Sequence, residues 1–272
     1  MTDRPSSSSI HPDPPGHLLE GRYLCEQGIA KGESAEIFRG TDTWSGEQIA
    51  IRLLRDDRRE KEDEFRRMAE RLFGATSARL LRAIHIGDHK DGRPFLVTEL
   101  LMGKNLQDLG QVRWEVACEI TRQAAAAIAE LHVLGLHHGT LRTSTLFVAA
   151  QSAGGSRIKL LDLGTGQRGA TAEKDVMALV AILHRLLYGK PPSPPGTPPG
   201  PRLVPTGAPP RLDELVRAWW GSQGEGISAA EIASELKFLV DMSTEIPGTK
   251  GPRILPKTSL IIIDDEEGSE SA

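Results

Sequence analysis

Cysteine is scarce: Cys25 and Cys118 are the two among 272 residues. Two thiols make neither a disulfide framework nor a cysteine zinc site, and they suit a reducing compartment. Aromatics are 4% of the chain, so the core must be built mainly from Leu, Ile, Val and Ala. Neither sign of charge is in large excess: 33 Lys+Arg stand against 37 Asp+Glu, a formal net charge of −4. Without a surplus of cations nothing draws the chain to nucleic acid. Long apolar runs are also missing. The opening MTDRPSSSSIHPDPPG has no apolar stretch of the kind a secretory leader needs. Val176–Leu183, the longest apolar stretch in a helical setting, ends at His184 and Arg185, far short of the ~20 residues that span a bilayer. The expectation is a soluble, cytoplasmic protein with neither nucleic acid nor membrane as a partner.

What is present changes character along the chain. Residues 1–17 are rich in Ser and Pro and read as disordered. Tyr23 to Leu54 reads as strands around the turn Thr43-Trp44-Ser45-Gly46. Asp56–Phe73 is charged, with Phe65, Met68, Ala69 and Leu72 at helical spacing. Leu80–Ile86 and Pro94–Leu101 read as strands joined at His89-Lys90-Asp91-Gly92. Helices follow: Trp114–Leu134, Asp175–Tyr188, Arg211–Trp220 and Ser228–Val240, with a short strand at Arg157–Leu161. Ser228 with Glu231 three residues on is a capping-box pattern. A β-rich first third and a helical remainder predict two lobes in an α+β architecture. Lys190–Pro210 holds ten of the chain's 18 prolines and reads as a loop of polyproline character, open to a partner that reads proline motifs. The tail, 243–272, carries Leu260-Ile261-Ile262-Ile263 and then DDEEGSE; it reads as a disordered segment bearing an apolar–acidic motif that could add to a partner's sheet edge.

Several short segments fall in a telling order. Ile29–Phe38, I-A-K-G-E-S-A-E-I-F, is a glycine-containing turn between strands. Ile49-Ala50-Ile51-Arg52 is a strand ending on a cation. Leu96-Val97-Thr98-Glu99-Leu100, Gly135-Leu136-His137-His138-Gly139-Thr140-Leu141-Arg142 and Leu161-Asp162-Leu163-Gly164 follow, before the apolar helix at Asp175. In this order, over roughly Leu18 to Val240, the chain resembles the eukaryotic-like protein kinase domain found in bacteria. The resemblance implies a bilobal kinase-like domain over 18–242, with a β-rich N-lobe at about 18–101 and a mainly helical C-lobe at about 102–242. It also implies a nucleotide site, for ATP with magnesium, at Gly32, Ala50, Arg52, Glu99, Leu101, Phe147 and Asp162.

The polar groups of such a domain are the ones this chain lacks. The three glycine positions of the phosphate loop are Ala30, Gly32 and Ala35, so only the middle glycine remains, and a Cβ hinders close backbone approach. Arg52 replaces the strand lysine, and its planar fork is no substitute for a compact ammonium. The lysine's glutamate partner falls at Met68; a shift of one turn would bring in Glu64. Thr140 stands where the proton-accepting aspartate belongs, and a neutral hydroxyl is not a base near pH 7. Gly139 and Thr145 replace the loop arginine and the metal-binding asparagine, leaving Arg142 as a further degenerate equivalent. Asp162 alone is a weak magnesium ligand, since that hard ion takes several oxygens. Only Thr165–Lys174 lies where a substrate-docking segment would be, with no A-P-E. Its arginine partner position is Gly226, so both members of a buried ion pair are gone together. Ile37, Ala50 and Phe147, which would enclose adenine, and Leu72, His138 and Leu163, which would form a packed column, persist. The expectation is a catalytically impaired kinase-like protein, a scaffold or regulator of signalling proteins. The alternative is a divergent ATP-dependent serine/threonine kinase or nucleotidyl transferase using Asp162, Arg52 and Arg142.

Overall fold

The computed structural model describes residues 16–75, 77–151, 156–163, 169–194 and 207–244. Two compact units divide the chain. The first takes in residues up to Arg66 together with Ala83–Leu100; the second takes Arg67–Arg82 and everything from Leu101 onward.

The first unit is one antiparallel sheet of six strands: β1 (Leu18–Leu19), β2 (Tyr23–Lys31), β3 (Ala35–Asp42), β4 (Gln48–Leu54), β5 (Ala83–Asp88) and β6 (Pro94–Glu99), in the order β1-β2-β3-β4-β6-β5. Alternation along each strand sends one set of side chains inward. Tyr23, Cys25, Phe38, Ile49, Ile51, Leu53, Phe95 and Val97 form its core with Leu19. The β3–β4 turn is held by Asp42, whose carboxylate accepts from the Trp44 amide at 3.1 Å and from Arg22 at 2.9 and 2.7 Å. Gly46 closes that turn at φ +74°, a conformation costly for any residue with a Cβ.

Between β4 and β5 runs a 3-10 segment, Asp56–Lys61, then helix α1 (Glu62–Gly74). The apolar stripe expected on this helix is real: Phe65, Met68, Ala69 and Leu72 are all buried. The division into units falls inside α1, so residues 67–82 group with the second unit rather than with a continuous first lobe ending near 101. The cause lies downstream of the helix: Leu81 N donates to Leu160 O at 2.8 Å and Leu160 N to Arg79 O at 2.9 Å. This pairing also moves the strand expected at Leu80–Ile86 to Ala83–Asp88, because Leu80 is already bridged to Leu160.

The second unit is mainly helical, with a small sheet β7 (Gly103–Asn105), β8 (Leu146–Ala150) and β9 (Ser156–Leu160). Its central helix, α2 (Trp114–Val133), packs on α3 (Ala172–Tyr188), α5 (Ala229–Thr244) and β9. Alanines 117, 124, 125 and 127 are buried along it. Small side chains let neighbours approach closely from several sides, which is why a helix of modest amphipathicity is stable here. Thr171 caps α3 by accepting from Lys174 N, and Gly189 ends it at φ +72°. Helix α4 (Pro210–Gly221) begins with a proline at its first position, where no amide is needed. The Ser228–Glu231 capping box forms as expected, with Ser228 N donating to Glu231 Oε2 at 2.7 Å and Glu231 N to Ser228 Oγ at 3.1 Å.

One side chain finishes the small sheet. Gln123 of α2 accepts from Ile158 N at 2.9 Å and donates to Ser156 O at 3.5 Å, lying along the outer edge of β9. Segment 1–15, most of the proline-rich loop (195–206) and 245–272 lie outside the described residues.

Candidate functional site

In the first unit the strand register gathers Ile37, Ala50 and Arg52 on one face of the sheet. Ile37 pairs with Arg52, and Arg52 with Leu96. Ala50 is buried and Arg52 half-buried, while the intervening Ile49, Ile51 and Leu53 point into the core. Glu99 ends β6 opposite Ile49. Of the three phosphate-loop positions only Gly32 sits in a turn. Ala30 pairs with Ile37 and Ala35 with Leu54, so both are strand residues. The turn is also closed on itself: Gly32 N donates to Ala35 O at 2.8 Å, and Gly32 O accepts from Arg55 Nη1 at 3.1 Å. Lys61 pairs with Glu33 at 2.7 Å and holds the tip. A Cβ on Gly32 would stand 3.2 Å from Ala35 O, a tight contact that the turn would meet by yielding a few tenths of an ångström. Met68 is buried in the stripe of α1, and Glu64 is half-exposed on the same helix.

In the second unit the segment Leu136–Thr145 crosses the base of β8. His138 is fully buried, as a packing residue would be. Asp175 in the first turn of α3 anchors it, with Oδ2 accepting from His138 N and Oδ1 from Gly139 N, both at 2.8 Å. His132 Nε2 lies 3.0 Å from Asp175 Oδ2. Burial opposes ionisation of Asp175, yet the hydrogen bonds from His132, Gly139 and His138 hold its carboxyl below the ordinary range. Burial lowers the His138 pKa against the pull of Asp162 and Asp175. Gly139 adopts φ +75°, and a Cβ there would lie 2.8 Å from the Ala170 side chain. Conformation and space therefore both exclude an arginine at this point of the backbone as it stands.

Thr140 follows. Its Oγ1 is 3.4 Å from His138 Nδ1, on the ring of its own loop. Arg142 is exposed. Thr145 is buried, and its hydroxyl is used twice by the neighbouring backbone, accepting from Arg142 N at 3.1 Å and donating to Arg142 O at 2.9 Å. Phe147 lies on β8 opposite Asn105 and Lys159. Leu101 precedes β7. Asp162 points one oxygen toward His138 Nε2 at 3.8 Å, too long for a hydrogen bond. Asp162 Oδ1 and His138 Nε2 are both buried without a hydrogen-bond partner among the described residues. Gly164 and residues 165–168 lie outside those residues.

The second unit thus brings Thr140, Thr145, His138 and Asp162 onto one loop system. Asp175, its buried anchor, was read in the sequence only as the opening of an apolar helix. A sharper signal was available: Asp175 shares a stripe with Leu179, Ile182 and Leu186, and an acid on an apolar stripe must find internal donors. The donor set does not fit a pair of magnesium ions, because Thr145 Oγ1 is committed to backbone and Asp162 is a single carboxylate. Among the described residues no three His, Cys, Asp or Glu side chains cluster as metal ligands. Gly32 N, the amide of the one glycine kept in the phosphate loop, already has its acceptor.

The chain is 28% identical over 182 residues to the serine/threonine-protein kinase PknL of Mycobacterium tuberculosis, covering 64% of this chain and 44% of that protein. It is 27% identical over 157 residues to the serine/threonine-protein kinase pkn2 of Myxococcus xanthus, covering 56% and 19%. The matches therefore span less than half the length of these relatives. Among solved structures, the kinase domain of Mycobacterium tuberculosis PknI superposes with a TM-score of 0.62 at 17% identity, over 84% of this chain and all of that one. The apo form of PpkA-294 gives 0.67 at 18%, over 83% and 99%. At such identities the likeness shows the fold, an α+β protein-kinase-like fold with a β-rich and a mainly helical unit. Residues 58–194 match the model of the lipopolysaccharide kinase (Kdo/WaaP) family, half of the sequence, and the chain belongs to that family.

Proposed function

We propose that this chain is a pseudokinase: a protein-kinase-like fold that works by binding, as a scaffold or regulator of signalling proteins, and not by transferring phosphate. The observation that carries this reading is the state of the loop Gly139–Thr145. By the kinase resemblance Thr140 stands for the proton acceptor, and its hydroxyl lies 3.4 Å from the His138 ring; the hydroxyl of Thr145 is spent on its own backbone. Phosphoryl transfer depends on positioning and on charge stabilisation. A loop without a base and with a single carboxylate near it supplies little of either, and the phosphate turn of the first unit is closed on itself. The argument does not depend on the acceptor: a sugar hydroxyl and a serine hydroxyl both need their proton taken.

Nucleotide binding enters this reading as weak or metal-independent, or as absent; the resemblance offers for it Gly32, Ala50, Arg52 and Glu99 of the first unit and Leu101, Phe147 and Asp162 of the second. Lys190–Pro210 is offered as a docking site for a proline-motif reader. None of the described helices is long and apolar enough to cross a membrane.

The second reading is a divergent ATP-dependent kinase or nucleotidyl transferase built on Asp162, Arg52 and Arg142. It is favoured by the kinase names of the relatives and by the family's description as lipopolysaccharide kinase. One experiment separates the two. The purified chain is heated with ATP, with and without magnesium, and then incubated with labelled Mg-ATP. The pseudokinase reading expects a small shift or none in melting temperature, the same in both conditions, and no incorporation of label. A saturable, magnesium-dependent shift, with transfer that stops in Asp162→Ala, would overturn it.

A further inference from the structure

Helix α3 runs straight into the proline-rich segment, and α4 packs against α3. His184 and Tyr188, one turn apart on α3, bring their rings to 4.5 Å. Tyr188 Oη donates to Asp213 Oδ1 at 3.4 Å, and Asp213 accepts from Arg217 at 2.9 Å. Asp213, Arg217 and Trp220 follow at i, i+4 and i+7 along one face of α4. That helix ends on two adjacent tryptophans, which its geometry turns about 100° apart. Trp219 is buried and Trp220 half-buried, so the second indole lies at the surface.

The segment that meets this face is Lys190-Pro191-Pro192-Ser193-Pro194. Proline fixes φ, and Lys190, Pro191 and Ser193 each precede a proline, which pushes them to extended backbone. These constraints select polyproline geometry, with three residues per turn and no hydrogen bonds inside the segment. Its prolines have no amide, so the segment is rich in acceptors and poor in donors. The donors come from the aromatic face. Trp220 Nε1 donates to Ser193 O at 2.9 Å. His184 Nδ1 lies 2.9 Å from Lys190 O, where a carbonyl partner requires the ring nitrogen to donate. The two carbonyls are one polyproline turn apart and so share a face. They stand about 9 Å apart along such a segment. Asp213 and Trp220 stand about 10 Å apart along α4, so segment and helix match in length here. Pro192, between the two carbonyls, is half-buried, while Pro191 and Pro194 are exposed.

We propose that His184, Tyr188 and Trp220 form a polyproline-reading site that this chain closes with its own Lys190–Pro194, and that a proline-rich peptide of another protein binds there by displacing it. Aromatic rings that carry an outward donor are a recurring means of reading such segments. The inference needs only the fold and stands apart from the absence of phosphate transfer. It gives the chain a reader of its own, beyond a loop offered to outside readers.

The peptide Lys-Pro-Pro-Ser-Pro, added to the full-length chain, tests this. Its affinity is read by anisotropy of a dye on the peptide. Its seat is read by NMR of the tryptophan indoles, with the Trp220 signal assigned by its loss in Trp220→Phe. Trp44, exposed and in the first unit, is the unshifted reference. The natural chain should bind weakly, because the tethered segment competes at an effective concentration on the order of millimolar. Pro191→Gly with Pro192→Gly loosens that segment and should move the Trp220 signal. The peptide should then bind about tenfold tighter and return the signal toward its natural position. Adding Trp220→Phe should weaken that binding about fivefold, on the scale of one hydrogen bond. An unchanged melting temperature verifies that each variant is folded. A Trp220 signal unmoved by the glycines, no gain in affinity, or equal binding by a peptide with alanine for each proline would overturn the proposal. A Trp220 signal of the natural chain that shifts on dilution would overturn closure by its own segment, giving the site to the loop of a second copy.

Discussion

Removing the Asp175 carboxylate should loosen the second unit more than any other single polar change in it. The carboxylate is 1% exposed as a residue and accepts from two backbone amides at 2.8 Å, with a histidine at 3.0 Å. A hydrogen bond to a charged group contributes about 1.5–3 kcal/mol, and stranding a buried donor costs about 1–3 kcal/mol. These contributions overlap, so Asp175→Ala is expected to cost about 4 kcal/mol. Asp175→Asn keeps one carbonyl oxygen and should cost about half as much. Urea unfolding followed by tryptophan fluorescence measures both, because Trp114, Trp219 and Trp220 lie in the second unit and report its transition. The pH dependence adds a second reading. The folded pKa of Asp175 is depressed, so its ionised form stabilises the fold at pH values above the unfolded pKa of about 4. That contribution disappears as pH falls through the lower, folded value. The gap between the natural chain and Asp175→Asn should therefore be full near neutrality and shrink in acid. If both variants unfold within about 0.5 kcal/mol of the natural chain at neutral pH, the carboxylate is not the anchor of this loop.

Gly139→Ala should destabilise by about 1–2 kcal/mol, since it places a Cβ at φ +75° and against Ala170; thermal melting checks it, with Gly110→Ala, which meets no neighbour, as the control. Ser228→Ala removes the hydroxyl arm of the capping box, leaving the amide of residue 228 on Glu231, and should cost about 1 kcal/mol, readable in the same urea titration. Cys118, whose thiol burial pushes up to about 12, should resist alkylation at pH 8 in the folded chain and react fully in denaturant; rapid native labelling at that site would contradict its burial in α2. Thr140→Asp alone should not confer transfer of labelled phosphate, because Thr145 and the Gly32 turn remain as they are.

Much of this architecture could be read from local pattern. The stripe of Phe65, Met68, Ala69 and Leu72 foretold the buried face of α1, and Ser228 with Glu231 marked the start of α5. The β3–β4 turn followed from Thr43-Trp44-Ser45-Gly46; that Asp42 holds it did not. What escaped were features created by distant pairing. β7 and β8 are short strands whose partners lie some forty residues apart, and no run of β-branched residues announces either. The strand after Leu80 was placed three residues early because Leu80 and Leu81 are claimed by Leu160. At the site, the residue identities at Thr140, Thr145 and Asp162 were legible. That Thr145 serves its own backbone, and that Gly32 closes its own turn, depends on coordinates. That Arg79, Arg122 and Arg157 line one pocket of the second unit could not be foreseen, since they lie far apart in the sequence.

Gln123 has a consequence for solubility. An unpaired strand margin is a template on which other chains can build, and evolution usually guards such margins with charge, proline or a bulge. Here a single carboxamide mimics the missing neighbour, offering β9 one acceptor and one donor at the spacing a peptide group would. Its replacement by leucine would keep the bulk and lose the mimicry. The variant would then offer the Ser156–Ile158 stretch of β9 to self-association, while Leu160 stayed covered by its backbone bonds to Arg79 and Leu81.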